Sequence, residues 1–388
     1  MRRKLPCFFL LFFVFISSSS AEEISGHDYP EIKGAAAILL DEGSGRILFE
    51  KNARQRMSPA SLTKIMTALL VLENGHLEQK VRISRKAAET GESSIWLEAG
   101  EVLSRRELLY ALMLNSANDA AVALAESVAG TERSFVEMMN RRARELNLKD
   151  THFANPHGLE APGHYTSAYD LAVLTRQTFL VPLFREIVAT REMAIPWPGH
   201  PWNRLLINKN RLLYRYPGAV GVKTGYTKKA GNCLVGAARR GSLRLIAVVL
   251  NSPQVYEDVE ALFDYGFSRY RGVLLERRNQ TQGKVRVVKG RSRFVEAKPE
   301  RDVIMALRPG EEKMLDVRVK TLKRVQAPVK KGDLLGSYRI YLKGKKIGEV
   351  KLVAGADVPV KPSFWSILLG YVKFFLKSQL PSFAQFTS

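Results

Sequence analysis

Strand patterns stand at both ends of the first 250 residues, and a long helical region separates them. Residues 35–50 have the pattern of a strand, a turn and a second strand. Apolar residues at helical spacing recur over residues 58–146, and strand patterns return at Val220–Thr224, Cys233–Ala238 and Leu243–Leu250. Because the late strands must rejoin the first hairpin, we predict an α+β domain in which a helical cluster packs on an antiparallel sheet.

Two helix starts are predicted from capping residues. Ser58 and Pro59 have the residue types of an N-cap and a first helical position, ahead of apolar residues at helical spacing. Ser104 and Glu107 form a capping-box pattern, which predicts a second helix start.

A smaller, basic domain is predicted after residue 271. Residues 272–361 contain short β-like segments separated by glycines and charged residues, which is typical of an all-β module. Residues 276–361 hold 23 Lys or Arg against 10 Asp or Glu, which is more than half of the net charge of +22. No stacking aromatics accompany these bases, so we expect an anionic membrane or wall polymer as the partner, and no nucleic acid.

The first 21 residues have the pattern of a secretory signal peptide. A basic start at Met1–Lys4 precedes an apolar run, and small residues at Ser19 and Ala21 suit cleavage. Cleavage of the signal peptide would also remove Cys7. Cys233 would then be the single remaining cysteine, so no intramolecular disulfide is expected. Cys233 lies in an apolar stretch and is predicted to be an inert core residue.

The last 27 residues, 362–388, have the pattern of an amphipathic helix. The segment contains no Asp or Glu, and its polar residues form one stripe at helical spacing: Ser366, Gly370, Lys373 and Lys377. Such a helix is expected to lie on an anionic membrane surface, although a helix docked on the protein's own core is the alternative. Together with the signal peptide, this predicts an exported protein at the outer face of the bacterial cytoplasmic membrane, in the periplasm or cell envelope.

A serine and a lysine are spaced for acyl transfer at the start of the first predicted helix. Ser61 and Lys64 are three residues apart and therefore share one helix face. The lysine can accept the serine proton if burial and nearby cations lower its pKa. Free backbone N–H groups in the first turn favour a developing anion. The pair alone is a weak motif, because chance produces it about once in a chain of this length.

Two further motifs make the assignment to an acyl-transfer enzyme more specific. Ser116-Ala117-Asn118 lies between two helical patterns, where a loop can present a hydroxyl and an amide. Lys223-Thr224-Gly225 lies on a predicted strand, where the cation and hydroxyl can face an acidic substrate and the glycine permits close backbone approach. All three motifs, in this order, form the set typical of penicillin-binding proteins and serine β-lactamases.

On these motifs the chain resembles the low-molecular-weight penicillin-binding proteins, the serine-type D-alanyl-D-alanine carboxypeptidases of peptidase S11 type. Further matching stretches are Pro59–Lys64, Thr151–Leu159 and Gly221–Thr227. The resemblance covers most of residues 30–270, and more loosely the β module and tail. It implies a catalytic domain of the β-lactamase and penicillin-binding-protein type over residues 22–271. It also implies peptidoglycan stem peptides as substrate, β-lactam antibiotics as acylating inhibitors, and no cofactor.

The resemblance also assigns roles to individual residues. Ser61 would attack the peptide carbonyl, Lys64 would be the base, and Ser116 would relay the proton to the leaving D-alanine. The implied substrate-binding residues are Asn118, Lys223, Thr224, Gly225, Tyr226 and Arg244. Among these, Asn118 would hold the substrate amide, and Lys223 would support Ser116.

The backbone N–H groups of Ser61 and Tyr226 would form the oxyanion hole, and Arg244 would help to bind the terminal carboxylate. Ala117 departs from the glycine of many relatives, at a position whose side chain is not expected to do chemistry.

Two other functions share part of this residue pattern. A class A β-lactamase would need a glutamate four residues before an asparagine, and Asn147 is preceded at that distance by Ala143. A non-catalytic protein that binds wall peptides would be expected to lack Ser61 or Lys64. The histidines His152, His157 and His164 match no zinc spacing, so no metal site is predicted.

Overall fold

The computed structural model describes residues 29–362 and residue 368, in which a mixed domain is followed by an all-β domain. The strands of the mixed domain are β1 (Ala36–Asp41), β2 (Ile47–Lys51), β3 (Lys80–Arg82), β4 (Val102–Ser104), β5 (Glu192–Ile195), β6 (Arg204–Ile207), β7 (Ala219–Thr227), β8 (Gly231–Arg240) and β9 (Leu243–Leu250). Its helices are α1 (Lys64–Asn74), α2 (Arg85–Ala88), α3 (Arg105–Tyr110), α4 (Asn118–Ala129), α5 (Glu132–Glu145), α6 (Ala168–Thr178), α7 (Pro182–Ala189), α8 (Leu212–Arg215) and α9 (Val255–Arg269). A 3₁₀ turn at Ala60–Thr63 precedes α1, and a π-helical turn at Ala111–Asn115 follows α3.

A five-stranded antiparallel sheet in the order β2-β1-β9-β8-β7 is the centre of the mixed domain. Because side chains alternate along a strand, Ile38 and Leu40 of β1 pack on one face, against the core that contains α1 and α4. Ala37 and Leu39 pack on the other face, in a second core that contains α9. The predicted α+β fold class is confirmed, and the structure adds a helix on the opposite face of the sheet.

The two predicted helix starts have different outcomes. Ser104 and Glu107 form the predicted capping box at the start of α3. Ser58 is not an N-cap: the 3₁₀ turn begins at Ala60, the residue before it is Pro59, and no side chain caps it. The physical reason is tertiary, because Ala60 adopts a φ of 47° in a turn that two distant glycines contact.

The all-β domain contains eight strands within the described residues. These are β10 (Arg271–Glu276), β11 (Gly283–Val288), β12 (Phe294–Pro299), β13 (Val303–Leu307), β14 (Leu315–Thr321), β15 (Arg324–Gln326), β16 (Leu334–Leu342) and β17 (Lys345–Ala354). Six of them form one sheet in the order β14-β16-β17-β12-β11-β15, and β10 pairs with β13. Valine, leucine and isoleucine side chains form a separate core there, which includes Val285, Leu335 and Ile340. The predicted all-β fold of the smaller domain is thus confirmed.

Ion pairs and hydrogen bonds join the two domains at the turn between β1 and β2. The guanidinium of Arg46 pairs with both carboxylate oxygens of Glu311, at 2.5 and 2.9 Å. The backbone N–H of Ala306 donates to Asp41 at 3.1 Å, and the partly buried Arg176 donates to the carbonyl of Glu349 at 3.3 Å. Since most of these groups are buried, the contacts hold the β module firmly against the sheet.

Both predicted terminal segments lie outside the described residues. The signal peptide predicted for residues 1–21 precedes them, and the helix predicted for residues 362–388 follows them apart from residues 362 and 368. In the part of the chain that is described, none of the helices is both long and apolar enough to cross a bilayer.

Candidate active site

Ser61 and Lys64 meet at the junction between the 3₁₀ turn and α1. The Lys64 Nζ atom lies 2.9 Å from Ser61 Oγ. It also donates to Asn118 Oδ1 at 2.7 Å and to the carbonyl of His157 at 2.6 Å. Lys64 has no exposed surface. The amine is therefore held in one position by three contacts, two of which come from residues far away in the sequence.

The environment of Lys64 favours its neutral form. Burial lowers its pKa well below the usual range, and the positive charges of Lys223 and Lys209 lower it further. A neutral amine has two hydrogens and one lone pair. The amide oxygen of Asn118 and the carbonyl of His157 can only accept hydrogen bonds, so they take both hydrogens. The lone pair then faces the Ser61 hydroxyl, which is the arrangement a general base requires.

The second motif lies between the π-helical turn and α4, and its Asn118 contacts Lys64. Ser116 is 5% exposed and adopts a left-handed backbone with φ 62°. Next to it, the Asn115 side chain accepts a hydrogen bond from the N–H of Ile207 at 3.0 Å. Asn118 uses its Oδ1 for Lys64, and its Nδ2 donates to the carbonyl of Gly91 at 2.9 Å. One Nδ2 hydrogen of Asn118 remains for a substrate carbonyl.

The third motif lies on β7, the outermost strand of the central sheet. Lys223 is buried, and its Nζ donates to the carbonyl of Thr224 at 2.9 Å. Thr224 is half-buried and Tyr226 is 63% exposed. A Cβ on Gly225 would lie 3.2 Å from the backbone nitrogen of Ser61, so the glycine allows β7 to approach the nucleophile turn. Among the described strands β7 is paired on one side only, so its outer edge can pair with an extended peptide.

Gly158 also shapes the site, and the sequence analysis did not assign it a role. Its φ is +97°, and a Cβ there would lie 1.9 Å from the carbonyl oxygen of Ala60. The residue before it, His157, supplies the carbonyl that holds Lys64. Only the turn-like Asn155-Pro156-His157-Gly158 segment signals a constrained backbone in the sequence.

We expect Gly158→Ala to destabilise the protein by about 2–5 kcal/mol, because backbone strain adds to a clash with backbone atoms that cannot move away. Gly163→Ala is the matched control: its φ is +74°, but the nearest side-chain atom lies 3.7 Å from the added Cβ. It should cost only about 1–2 kcal/mol. Urea denaturation measures both values. Equal stability of the two variants would contradict the packing role of Gly158.

Lys209 is a second residue that the sequence analysis missed. Its N–H donates to the carbonyl of Leu114, two residues before Ser116, at 3.0 Å. Its charge lowers the pKa of both Lys64 and Lys223. No local pattern marks Lys209, because its place beside the two lysines depends on how β6 packs against the π-helical turn.

The structure does not bring Arg244 to the site. In the sheet, Lys223 of β7 lies opposite Val235 of β8, and Val235 lies opposite Val248 of β9. Arg244 is four residues from Val248, about 13 Å along the strand. Its guanidinium lies 3.7 Å from Glu42, at the junction with the β module. The role in carboxylate binding predicted for Arg244 is therefore corrected, because the strand register places it at the wrong end of the sheet.

The histidines are bonded within the protein. Both ring nitrogens of His164 have partners: the Thr63 hydroxyl lies 2.8 Å away, and the Ala154 N–H donates at 2.9 Å. Burial lowers the pKa of His157 to about 3 and that of His164 to about 4, so both rings are neutral at pH 7. Within residues 29–362 there is no cluster of His, Cys, Asp or Glu that could hold a metal. Cys233 is buried, and burial raises its pKa to about 11, as expected for an inert thiol.

Comparisons with known proteins agree with this geometry. The peptidase S11 profile, described as D-alanyl-D-alanine carboxypeptidase, matches residues 23–254, and that of the penicillin-binding protein 5 C-terminal domain matches residues 270–360. The chain is 38% identical to D-alanyl-D-alanine carboxypeptidase DacF of Bacillus subtilis, over 83% of this chain and 85% of that protein. It is 34% identical to DacD of Escherichia coli, over 91% and 94%.

A solved structure extends the likeness to both domains. Penicillin-binding protein 5 of Haemophilus influenzae superposes with a TM-score of 0.65 at 31% identity, over 85% of this chain and 98% of that one. The match therefore includes the mixed domain with its serine and lysine and the all-β domain that follows. The chain belongs to the peptidase S11 family of serine D-alanyl-D-alanine carboxypeptidases, which are penicillin-binding proteins.

Proposed function

We propose that this chain removes the terminal D-alanine from peptidoglycan stem peptides through an acyl-enzyme on Ser61. The observation that carries the proposal is the contact of 2.9 Å between Ser61 Oγ and a lysine amine whose two hydrogens are already taken. A bacterial wall peptide that ends in D-alanyl-D-alanine is the substrate class that the family membership supports.

The reaction follows from this contact. Lys64 accepts the Ser61 proton as Oγ attacks the carbonyl of the penultimate D-alanine. The backbone N–H groups of Ser61 and Tyr226 stabilise the oxyanion. The C–N bond breaks as a proton passes through Ser116 to the leaving amine, and free D-alanine departs. Water then attacks the Ser61 ester, which releases the shortened peptide and restores the hydroxyl.

The substrate's terminal carboxylate needs a cation, and Lys223 and Lys209 are the basic residues that the proposal assigns to it. Both positive charges lower the pKa of Lys64, and the same two charges would attract an anion bound beside it. Incubation of the pure protein with a D-alanyl-D-alanine pentapeptide, followed by mass analysis, tests the proposal. Loss of one D-alanine is the expected result. An intact pentapeptide, or cleavage at an internal bond, would overturn it.

The pH dependence of kcat/KM should show that Lys223 acts in its charged form. Burial, followed by the charge of Lys209, lowers the pKa of Lys223 to about 7. Above that pH the charge is lost in the free enzyme, so kcat/KM for the pentapeptide should fall on the alkaline side. Lys223→Arg keeps the charge to a pH above about 12 and should remove this alkaline limb. An alkaline limb that is unchanged in Lys223→Arg would assign it to another group.

The proposal places the enzyme at the outer face of the cytoplasmic membrane, with its tail on anionic lipid. Two hydrogen bonds show that basic residues surround the point where the chain leaves the β module. The N–H of Lys361 donates to the carbonyl of Lys289 at 2.8 Å, and the N–H of Arg291 donates to the carbonyl of Pro359 at 2.9 Å. The chain thus leaves the β module beside three cations, which suits an approach to lipid phosphate.

We expect a protein that ends at residue 362 to remain active and to lose its binding to anionic vesicles, because the aromatic and aliphatic face of the tail is gone. Full-length protein should co-sediment with vesicles that contain phosphatidylglycerol, less so as salt rises. Replacing Trp365, Leu368 and Phe375 with Asp is the matched full-length control and should also release it. Undiminished binding of the truncated protein would locate the anchor on the β module. Unfolding on truncation would indicate a tail docked on the core.

A further inference from the structure

Three of the chain's four tryptophans gather at one place on the surface, beside the candidate active site. They are Trp96, in the loop before β4, and Trp197 and Trp202, in the tip of the β5–β6 hairpin. Trp96 is 73% exposed and Trp202 is 61% exposed. Tryptophan is highly buried on average, so two such exposed rings on neighbouring segments call for a ligand.

The Trp197 and Trp202 rings are joined through His200, and Arg204 links this hairpin tip to the backbone of Trp96. The centroid of Trp197 lies 4.3 Å from that of His200, and the His200 centroid lies 5.8 Å from that of Trp202. Arg204 lies beneath them, with its guanidinium 4.5 Å from the Trp197 ring and a bond of 3.3 Å to the carbonyl of Trp96. This guanidinium pairs with both oxygens of Glu101, at 2.8 and 3.2 Å, in a buried position.

The same two segments are connected to residues of the candidate site. The carbonyl of Ser93 accepts a hydrogen bond from the N–H of Asn118 at 2.7 Å. The Asp119 carboxylate accepts hydrogen bonds from the backbone of Ile95 and Leu97, on either side of Trp96. On the other side, β6 begins at Arg204 and ends at Ile207, two residues before Lys209. The tryptophans therefore border the cleft that contains Ser61 and Lys64.

The distance between the hairpin tip and the candidate active site matches the length of a stem peptide. β6 is extended from Arg204 to Ile207 and Lys209 follows two residues later, so Arg204 lies at most about 17 Å from Lys209. In a stem pentapeptide, four residues lie between the scissile bond and the amino sugar that carries the peptide, and when extended they span about 13–14 Å. A peptide whose D-alanyl end occupies the cleft can thus place its sugar near the hairpin tip.

We infer that Trp96 and Trp202 form a subsite for the glycan, in which their faces stack on the N-acetylated sugar rings that carry the stem peptide. Aromatic faces suit the C–H faces of pyranose rings, and Glu98 and His200, 3.4 Å apart, offer polar atoms for hydroxyl and acetamido groups. The tip residues 196–203 include no Lys, Arg, Asp or Glu, so an anionic lipid surface finds no cation there. This inference rests on the proposed function for the identity of the substrate.

Kinetics on two matched substrates test the subsite: a free pentapeptide, and the same pentapeptide attached to its N-acetylated disaccharide. The wild-type kcat/KM should be about tenfold higher for the glycosylated substrate, a factor of the size that one or two aromatic contacts provide. In the double variant Trp96→Ala/Trp202→Ala, kcat/KM should become equal for the two substrates, while kcat/KM for the free pentapeptide is unchanged. Leu205→Ala, which removes a 56% exposed apolar side chain from the same hairpin, is the matched control and should keep the preference.

Tryptophan fluorescence provides a readout that does not depend on hydrolysis. Titration with the free disaccharide should change the emission of the wild type and of Leu205→Ala, but not of the double tryptophan variant. Equal kcat/KM for both substrates in the wild type, or no fluorescence response, would overturn the subsite. If neither substrate loses D-alanine while the disaccharide still changes the emission, the proposed function fails and the subsite stands.

Discussion

Ser61→Ala is expected to lower kcat for D-alanine release by about 10⁴-fold or more, because it removes the atom that would form the acyl-enzyme. The same change should abolish covalent labelling by penicillin. Intact-mass measurement after incubation with benzylpenicillin, followed by peptide mapping, detects the adduct directly. In the wild type the adduct should map to the peptide that contains Ser61.

Ser58→Ala is the matched control for this variant. Ser58 lies three residues earlier, is partly buried and does not cap the turn that carries the nucleophile. The Ser58 variant should therefore label with penicillin and hydrolyse the pentapeptide at close to the wild-type rate. A penicilloyl adduct on any other serine, or labelling that persists in Ser61→Ala, would refute the assignment of Ser61.

Lys64→Met is expected to lower acylation by about 10³-fold or more, since the general base is lost while the side-chain volume is kept. The wild-type rate should fall at low pH, where Lys64 becomes protonated and can no longer accept the serine proton. Because burial and the neighbouring cations lower its pKa well below the usual range, this acid limb lies far below the pH at which a free lysine titrates. The residual activity of Lys64→Met should lack this limb.

Circular dichroism melting separates chemistry from folding in this variant. Methionine leaves Asn118 Oδ1 and the His157 carbonyl without their donor, but it also removes an amine whose charged form is disfavoured by burial. A folded Lys64→Met protein that acylates with penicillin at the wild-type rate would exclude Lys64 as the base. Lys86→Met, at an exposed lysine that pairs with Glu132 at 2.6 Å, controls for loss of a positive charge and should remain active.

The parts of the site that could be predicted from the sequence are those whose geometry is local. A spacing of three residues on a helical turn brings Ser61 within reach of Lys64, whatever surrounds them. The capping box of Ser104 and Glu107 is local for the same reason. The strands around Lys223 follow from short apolar runs bounded by turn residues, and the antiparallel sheet follows from the order of strands and helices along the chain.

The contacts that make Lys64 a base depended on the tertiary structure alone. Asn118 and His157 approach its amine from 54 and 93 residues away, and the charges of Lys223 and Lys209 come from β7 and from the segment after β6. No local pattern encodes such encounters, because they depend on how α1, α4 and the sheet pack together. The pKa of a lysine is set by that packing, through burial and neighbouring charge.

The errors of the sequence analysis have the same origin. Arg244 has the right residue type for a carboxylate partner, but the strand register places it at the β-module junction, beside Glu42. Ser58 and Pro59 have the right types for a helix start, but packing of Gly158 and Gly225 against the Ala60 turn moves that start downstream. The sequence by itself determined the fold class, the order of the motifs and the pairing of Ser61 with Lys64, since these need only short-range geometry. Tertiary structure alone decided which cations surround the Lys64 amine and which glycines leave room for the turn at Ala60. Those contacts join segments that only the packed core brings together.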